Sequence, residues 1–404
     1  MSFEIKEHYE GVPVVDVDPF SPETLRSPEA FWADLRDVGP VAYIPRYGNY
    51  ILSRYEEVRQ AQADWRALTT AAGAGMSDIR KADHWRPASV IVEVDPPRHT
   101  EVRKVLNKVI APPIVRGWRE RFEEDAQQMA DQLVAKGRFD GVRDVAEAYV
   151  LKVFPESIGL DINREQAVAV GDLNFNGIGP KNELLLQAQE KVAPFLEWWH
   201  SSIKGETIKP GGFGELLFNG EATGEVPKGM AGALTSTFLR GGLDTTISSI
   251  GSALWLLASH PDQWQLLKER PELLRNTFDE TLRMESPIST NFRTTASGPC
   301  QISGFTLQGD KKVQLLLGAA NRDPRRWDKP DTFDITRDAS AHVSFGNGIH
   351  ACAGQLIARL EFDCIIKALL QRVAKLELDG PVRHRPNNAL RTLETLPLRI
   401  TLHA

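Results

Sequence analysis

Residues 228–259 read as one unbroken helical stretch, with Pro227 at its start and Pro261 closing it. It is the longest such pattern in the chain and makes a helical core the leading expectation. Inside it stands Gly241-Gly242-Leu243-Asp244-Thr245-Thr246. Two adjacent glycines within a helix cost roughly 1 kcal/mol each relative to alanine, so something must offset them. Close helix–helix contact would do so, as would a groove where a small molecule lies against the backbone. Asp244 and Thr245 then place an ionisable group and a hydroxyl in an otherwise apolar helix. A buried Asp needs a partner or water, and Thr can bond back to a carbonyl one turn earlier. An acid beside an alcohol is a proton-delivery arrangement.

A second feature lies at Phe345-Gly346-Asn347-Gly348-Ile349-His350-Ala351-Cys352-Ala353-Gly354, which runs directly into an apolar-periodic helix expected over 355–373. Cys352 therefore sits in a glycine-rich loop at a helix N-terminus. Aligned peptide dipoles and unpaired N–H groups there favour an anion and lower a thiol's pKa. Such a thiolate is a metal ligand or a nucleophile. Small neighbours that admit a flat cofactor, and a Phe345 ring able to shield the sulfur, favour the metal. A buried, inert cysteine is the ordinary alternative. Gly346, Gly348 and Ala351 also spell a dinucleotide fingerprint, but that needs a βαβ unit in a doubly wound sheet. Only 50 residues follow Gly354, too few to complete one.

Bulk properties narrow the classes further. The 404 residues carry a net charge of −6 without a dominant basic stretch, which argues against a nucleic-acid binder. No run of 18 or more apolar residues occurs, so no membrane anchor is expected. The segment Met1–His8 lacks the layout of a secretory signal. Three cysteines suit a reducing compartment, so a cytoplasmic location is expected.

Periodicity organises the rest. A hairpin is expected from residues 41–44 and 50–53 around Arg46-Tyr47-Gly48-Asn49. Helices are expected over 98–110, 114–136, 144–158, 163–178, 181–204, 261–269 and 271–285, and strands over 301–307, 313–317 and 398–402. Residues 205–226, glycine-rich and containing Pro210, read as a loop or lid. The sum is one mainly-α domain over 1–404 with a minor β region. The β-containing parts fall at about 1–100 and 300–320, and the helical parts at about 98–300 and 345–375.

Four patterns now stand in order along the chain: D-P-P-x-H-x-x-x-R from Asp95 to Arg103, G-G-x-D-T from Gly241 to Thr245, E-x-x-R at Glu280 and Arg283, and F-x-x-G-x-x-x-C-x-G from Phe345 to Gly354. Together they resemble the cytochrome P-450 superfamily of haem-thiolate monooxygenases. The resemblance implies a single-domain, triangular α-rich fold and a haem b ligated by the Cys352 thiolate. It implies that Phe345, Gly348, Gly354, Gly241 and Gly242 adjoin the haem, and that His99, Arg103, Arg293 and His350 hold its propionates. Thr245 would donate a hydrogen bond to dioxygen while Asp244 relays protons from solvent. Two electrons would come from a redox partner, either a ferredoxin with an NAD(P)H-dependent reductase or a fused reductase. Arg103, Lys104, Lys108 and Arg359 are the basic residues able to attract an acidic one. Glu280 and Arg283 would form a structural pair. Its usual third member is an Arg in a P-E-R-F segment, and Pro330-Asp331-Thr332-Phe333 departs from that pattern, leaving the third partner open.

Within the superfamily the chain resembles members that O-demethylate 4-methoxybenzoate. The resemblance is carried by Trp85-Arg86-Pro87-Ala88-Ser89, Gly179-Pro180-Lys181-Asn182-Glu183, the Ala320–Asp328 segment and Asn387-Asn388-Ala389-Leu390-Arg391. It implies that Arg86 and Ser89 hold the substrate carboxylate, that Phe175 packs on the ring, and that Ser236 or Thr237 adds a hydrogen bond. Ile178 and Asn291 depart from the aromatic lining of those relatives, so a further ring substituent could be admitted. A monooxygenase for another small hydrophobic molecule, and a haem carrier or sensor without turnover, are the alternatives.

Overall fold

The long helix runs from Met230 to Ser259 in the computed structural model, which describes residue 5 and residues 7–403. Gly229 enters it at φ 80°, and Pro261 opens the following helix, Pro261–Glu269. Its apolar residues are buried nearly all round, as a helix crossing the middle of a domain must be. Helices Ala148–Ile158, Arg164–Asn176, Phe213–Thr223 and Leu274–Glu285 pack along it. The chain forms one domain of mainly α-helical character.

Helix Gln355–Leu370 packs on Arg119–Lys136 and buries Ile357, Leu360, Ile365, Ile366 and Leu369. It stops before Val373, which starts strand Val373–Leu378 instead. The sheet that flanks the helical bulk joins distant segments, in the order Ala42–Ile44, Asn49–Leu52, Lys312–Leu316, Thr290–Thr295 and Leu68–Thr69. The expected N-terminal hairpin is present, and Lys312–Leu316 pairs in parallel with its second strand. This sheet fixes Arg293 and Asn291, which lie on Thr290–Thr295.

Several expectations need correction. Residues 205–226 are not one loop, because Phe213–Thr223 is a helix that buries Phe213 and Leu217. The 181–204 stretch is broken: Glu183–Val192 and Leu196–Ser202 are joined by one 3₁₀ turn at Ala193–Phe195, where Pro194 cannot donate a backbone hydrogen bond. Residues 301–307 are two strands, Cys300–Ile302 and Phe305–Leu307, turning at Ser303 and Gly304, both with positive φ. Strand Thr290–Thr295 escaped notice because it is buried on both faces and shows no alternation.

The Glu280–Arg283 pair lies at the centre of the fold with neither side chain exposed. Arg283 donates from Nε to Glu280 Oε2 at 2.7 Å and from Nη2 to Oε1 at 2.8 Å. Its Nη1 reaches the Asn321 and Pro330 carbonyls, at 2.9 and 2.7 Å. The third member is Arg337, whose Nε donates to Glu280 Oε1 at 3.2 Å. It lies five residues beyond Thr332, where the expected segment carried no arginine.

Candidate haem and substrate site

One cavity of about 340 Å³ opens between the long helix, the Cys352 loop and the strand carrying Arg293, within the usual range for a small-molecule site. Cys352 is at its floor. The loop is held shut by the Cys352 amide, which donates to the Phe345 carbonyl at 2.7 Å. Gly346 and Gly348 adopt left-handed backbone, φ 73° and 77°. Gly354 caps the C-terminal helix, and a Cβ there would meet only the Cys352 sulfur, at 3.9 Å. Burial pushes the Cys352 thiol up, opposite to the expected direction. The Gly354 and Gln355 amides, Arg103 and Arg359 pull it down but do not prevail. A bound cation would reverse that balance, since a coordinating thiol is deprotonated outright.

Across the cavity, the two helix glycines divide the roles foreseen for them. A Cβ on Gly241 meets nothing within 4 Å, so this glycine leaves open space along the helix. A Cβ on Gly242 would fall 2.2 Å from the Phe154 ring, so this one serves close packing. Thr245 lines the cavity and donates to the Gly241 carbonyl at 2.8 Å. Asp244 does not line it: its carboxylate packs against Gly171 of helix Arg164–Asn176. Burial raises its pKa to about 7, although Arg385 opposes this.

Cations gather at one rim. Arg103 Nη1 donates to the Ala351 carbonyl at 2.8 Å, and Arg293 Nη1 to the Phe292 carbonyl at 2.9 Å. Neither forms an ion pair among the described residues. Burial lowers Arg293 to about 10, still charged at neutral pH. His350 shares a hydrogen bond with Thr70 at 3.0 Å, and its edge meets His99, ring centroids 4.5 Å apart. His99 stands behind His350 rather than on the cavity wall, and its buried Nε2 has no partner. Burial, His350 and Arg103 lower His99 to about 4. Asp95, the nearest carboxylate, is engaged by Thr69 and His350. Against Arg103 and Arg293 the rim offers this one carboxylate, already engaged, so positive charge is in excess and the propionates of a haem would balance it.

The remaining site residues divide similarly. Phe345, Arg86, Ser89, Phe175, Ile178, Thr237 and Asn291 line the cavity. Ser236 is buried outside the lining, and Gly348 lies outside it too, where a Cβ would press on Ala63 at 2.9 Å. Two ionisable lining residues were missed. Arg240 falls on the helix face that also carries Thr237. Glu361 is fully buried beside Thr246, and burial raises its pKa well above the usual carboxylate value. An acidic residue among Leu360, Phe362 and Ile365 was the available signal for it.

A half-buried cysteine facing a mainly apolar chamber, with cations in excess at one rim, fits a haem-thiolate site. Residues 219–380 match the family profile "Cytochrome P450". The chain is 42% identical to cytochrome P450 CYP199A2 of Rhodopseudomonas palustris over 98% of its own length and 96% of that protein. It is 32% identical to cytochrome P450 107B1 of Saccharopolyspora erythraea, covering 87% of this chain and 89% of that one. The structure of CYP109Q5 from Chondromyces apiculatus superposes with a TM-score of 0.78 at 30% identity, over 96% and 99% of the two chains. The chain belongs to the cytochrome P450 family, and it is a monooxygenase. Membership implies haem b, dioxygen and an electron-transfer partner. Among the described residues no helix is long and apolar enough to cross a membrane.

Proposed function

We propose that the protein O-demethylates a small aromatic carboxylate, with 4-methoxybenzoate or a related lignin-derived methoxybenzoate as substrate. The supporting observation is a cluster of polar groups on one part of the cavity wall, where Ser89 Oγ and Thr237 Oγ1 lie 3.3 Å apart and Arg86 and Arg240 feel each other's charge. Arg86, Ser89, Thr237 and Arg240 line it there. Thr237 precedes Thr245 by eight residues, about 12 Å along the helix axis. That span suits one benzene ring with a substituent at each end, carboxylate at the polar end and methoxy at the other.

The bound haem would supply the oxidising power for inserting one oxygen atom of dioxygen into a C–H bond. The protein's own residues do the rest. Arg103, Arg293 and His350 would hold the propionates, and Cys352 the iron. Phe175 and Ile178 exclude water and confine the ring. Ser89 Oγ accepts from the Ile91 and Val92 amides, both at 3.3 Å, which leaves its proton free for Thr237 or a carboxylate. Thr245 presents its oxygen to the cavity, and rotating Oγ–H off the Gly241 carbonyl makes it a donor. Asp244, with a pKa of about 7, can take up and release protons at neutral pH. Proton entry from the Arg385 side of helix Arg164–Asn176 fits its orientation. Hydroxylation of the methoxy carbon gives a hemiacetal that collapses to a phenol and formaldehyde. Two electrons, two protons and one dioxygen are consumed, and one water is released.

Asn291 contributes a buried amide oxygen without a hydrogen-bond partner on the cavity wall. A ring hydroxyl beside the methoxy group would satisfy it. The test is titration of the haem absorption spectrum and product analysis with an electron donor. Methoxybenzoates should shift the spin state and yield formaldehyde. Equal shifts by neutral anisoles or terpenes would refute the carboxylate assignment in favour of another small hydrophobic substrate.

A further inference from the structure

The expected carboxylate ligand, Arg86, is already neutralised. Its Nη1 lies 3.0 Å from Glu93 Oε1, and the Glu93 side chain is 1% exposed. The same carboxylate accepts the Ser89 amide at 2.8 Å through Oε2, so it is fixed from two sides. Arg240 differs. It lines the same end of the cavity and forms no ion pair among the described residues; its buried Nε makes no hydrogen bond, as is true of Arg86 Nε and Nη1, so the difference between the two lies in the ion pair alone. Burial and the nearby Arg86 charge lower its pKa, while Glu93 raises it. Asp244, one turn further along the helix, faces Gly171 and does not compensate it. The helix backbone at this point is pinned by Asn174 Nδ2, which donates to the Arg240 carbonyl at 3.1 Å. Lys312 stands behind the group, with Nζ donating to the Ala72 and Gly73 carbonyls and a pKa lowered to about 7. It does not reach the cavity wall.

We infer that Arg240 supplies the uncompensated positive charge for the substrate's anionic group, with Arg86 acting as a positioning residue locked to Glu93. This rests on the aromatic-carboxylate reading and makes it more specific. Arg86, Glu93 and Arg240 together carry a net charge of +1, which one carboxylate cancels. The site is therefore matched to monocarboxylates. A neutral ligand would leave Arg240 unpaired, and a dicarboxylate would bring one charge too many.

The inference is tested on the haem-loaded enzyme by spin-state titration with 4-methoxybenzoate, its neutral amide, and 5-methoxyisophthalate. R240Q should weaken 4-methoxybenzoate binding by roughly 30-fold or more and leave the amide within about 3-fold of wild type. R240K, which keeps the charge, should retain most of the preference for acid over amide. E93Q should raise the affinity for 5-methoxyisophthalate relative to 4-methoxybenzoate. Wild-type 4-methoxybenzoate affinity in R240Q, with loss only in R86Q, would overturn the assignment to Arg240 and leave the carboxylate reading standing. Equal binding of acid and amide by the wild type would refute that reading itself. Equal weakening of acid and amide in R240Q would mean a packing role only.

Discussion

Asp244 and Thr245 are neighbours in sequence but face different surroundings. Thr245 lines the cavity and donates to the Gly241 carbonyl at 2.8 Å, while the Asp244 carboxylate lies against Gly171 on an adjacent helix. Consecutive helical residues diverge by about 100° (one 3.6th of a turn), so an adjacent acid and alcohol cannot share one face. The pair can cooperate only through motion or intervening water.

The Asp244 environment makes a pH prediction. Its folded pKa, about 7, exceeds the ordinary 3.8. Between those values the folded chain holds a proton that the unfolded chain has released, so this group's contribution to stability falls as pH rises through that window and levels off above it. Arg385 faces it, with Asp172 and Glu147 nearby, the former held by Lys191 and Arg385 and the latter by Arg164. D244N removes the titration. Its melting temperature relative to wild type should climb between about pH 4 and about pH 7 and level off above that. A constant gap across that range would show that Asp244 does not titrate there.

Thr245→Ala keeps the cavity's shape but removes a hydroxyl. Substrate affinity should stay within about 2-fold while product formation slows on the order of 10²-fold. Parallel measurement of electron-donor consumption and formaldehyde checks it. Undiminished formaldehyde per electron would remove Thr245 from proton delivery.

The helix glycines make a paired test. G242A drives a methyl group into the Phe154 ring and should cost about 1–3 kcal/mol of stability. G241A meets no protein atom, so its fold should be intact, and any effect should appear in haem or ligand uptake. Denaturant unfolding beside haem titration separates them. Equal destabilisation by both would contradict the division of roles.

Cys352→Ala should abolish the absorption band that marks thiolate ligation in the reduced, carbon-monoxide-bound enzyme, along with turnover. Persistence of both would place the metal ligand elsewhere.

The buried Glu280–Arg283 pair predicts a large structural effect. Arg283→Ala leaves a buried carboxylate with only Arg337 and the Asp334 amide as partners and should cost roughly 3–5 kcal/mol. Arg337→Ala, at the pair's more accessible side, should cost about 1 kcal/mol. Urea unfolding decides, and similar losses in the two variants would deny Arg283 its central place.

Much of the architecture is legible in the chain because local spacing controls it. The 228–259 periodicity anticipates helix Met230–Ser259 almost to its ends, since prolines mark both boundaries. The Phe345–Gly354 spacing puts Cys352 at a helix start because the glycines there take φ values that other residues avoid. Strand Thr290–Thr295 and helix Phe213–Thr223 were not legible. The first is buried on both faces and loses the two-residue alternation, and the second owes its helical state to packing on its neighbours.

Residue identity and spacing alone determined the helical core, the cysteine loop, the charge pair at Glu280 and Arg283, and family membership, because these depend on short-range backbone geometry and ordered motifs. Only the tertiary structure decided which charges remain uncompensated. Arg86 is paired with Glu93 and Arg240 is not; Arg337 completes the Glu280 network; His99 stands behind His350; and Asp244 turns from the cavity. Electrostatic balance depends on distances between groups far apart in sequence and on the solvent excluded between them, and neither quantity is written in local order.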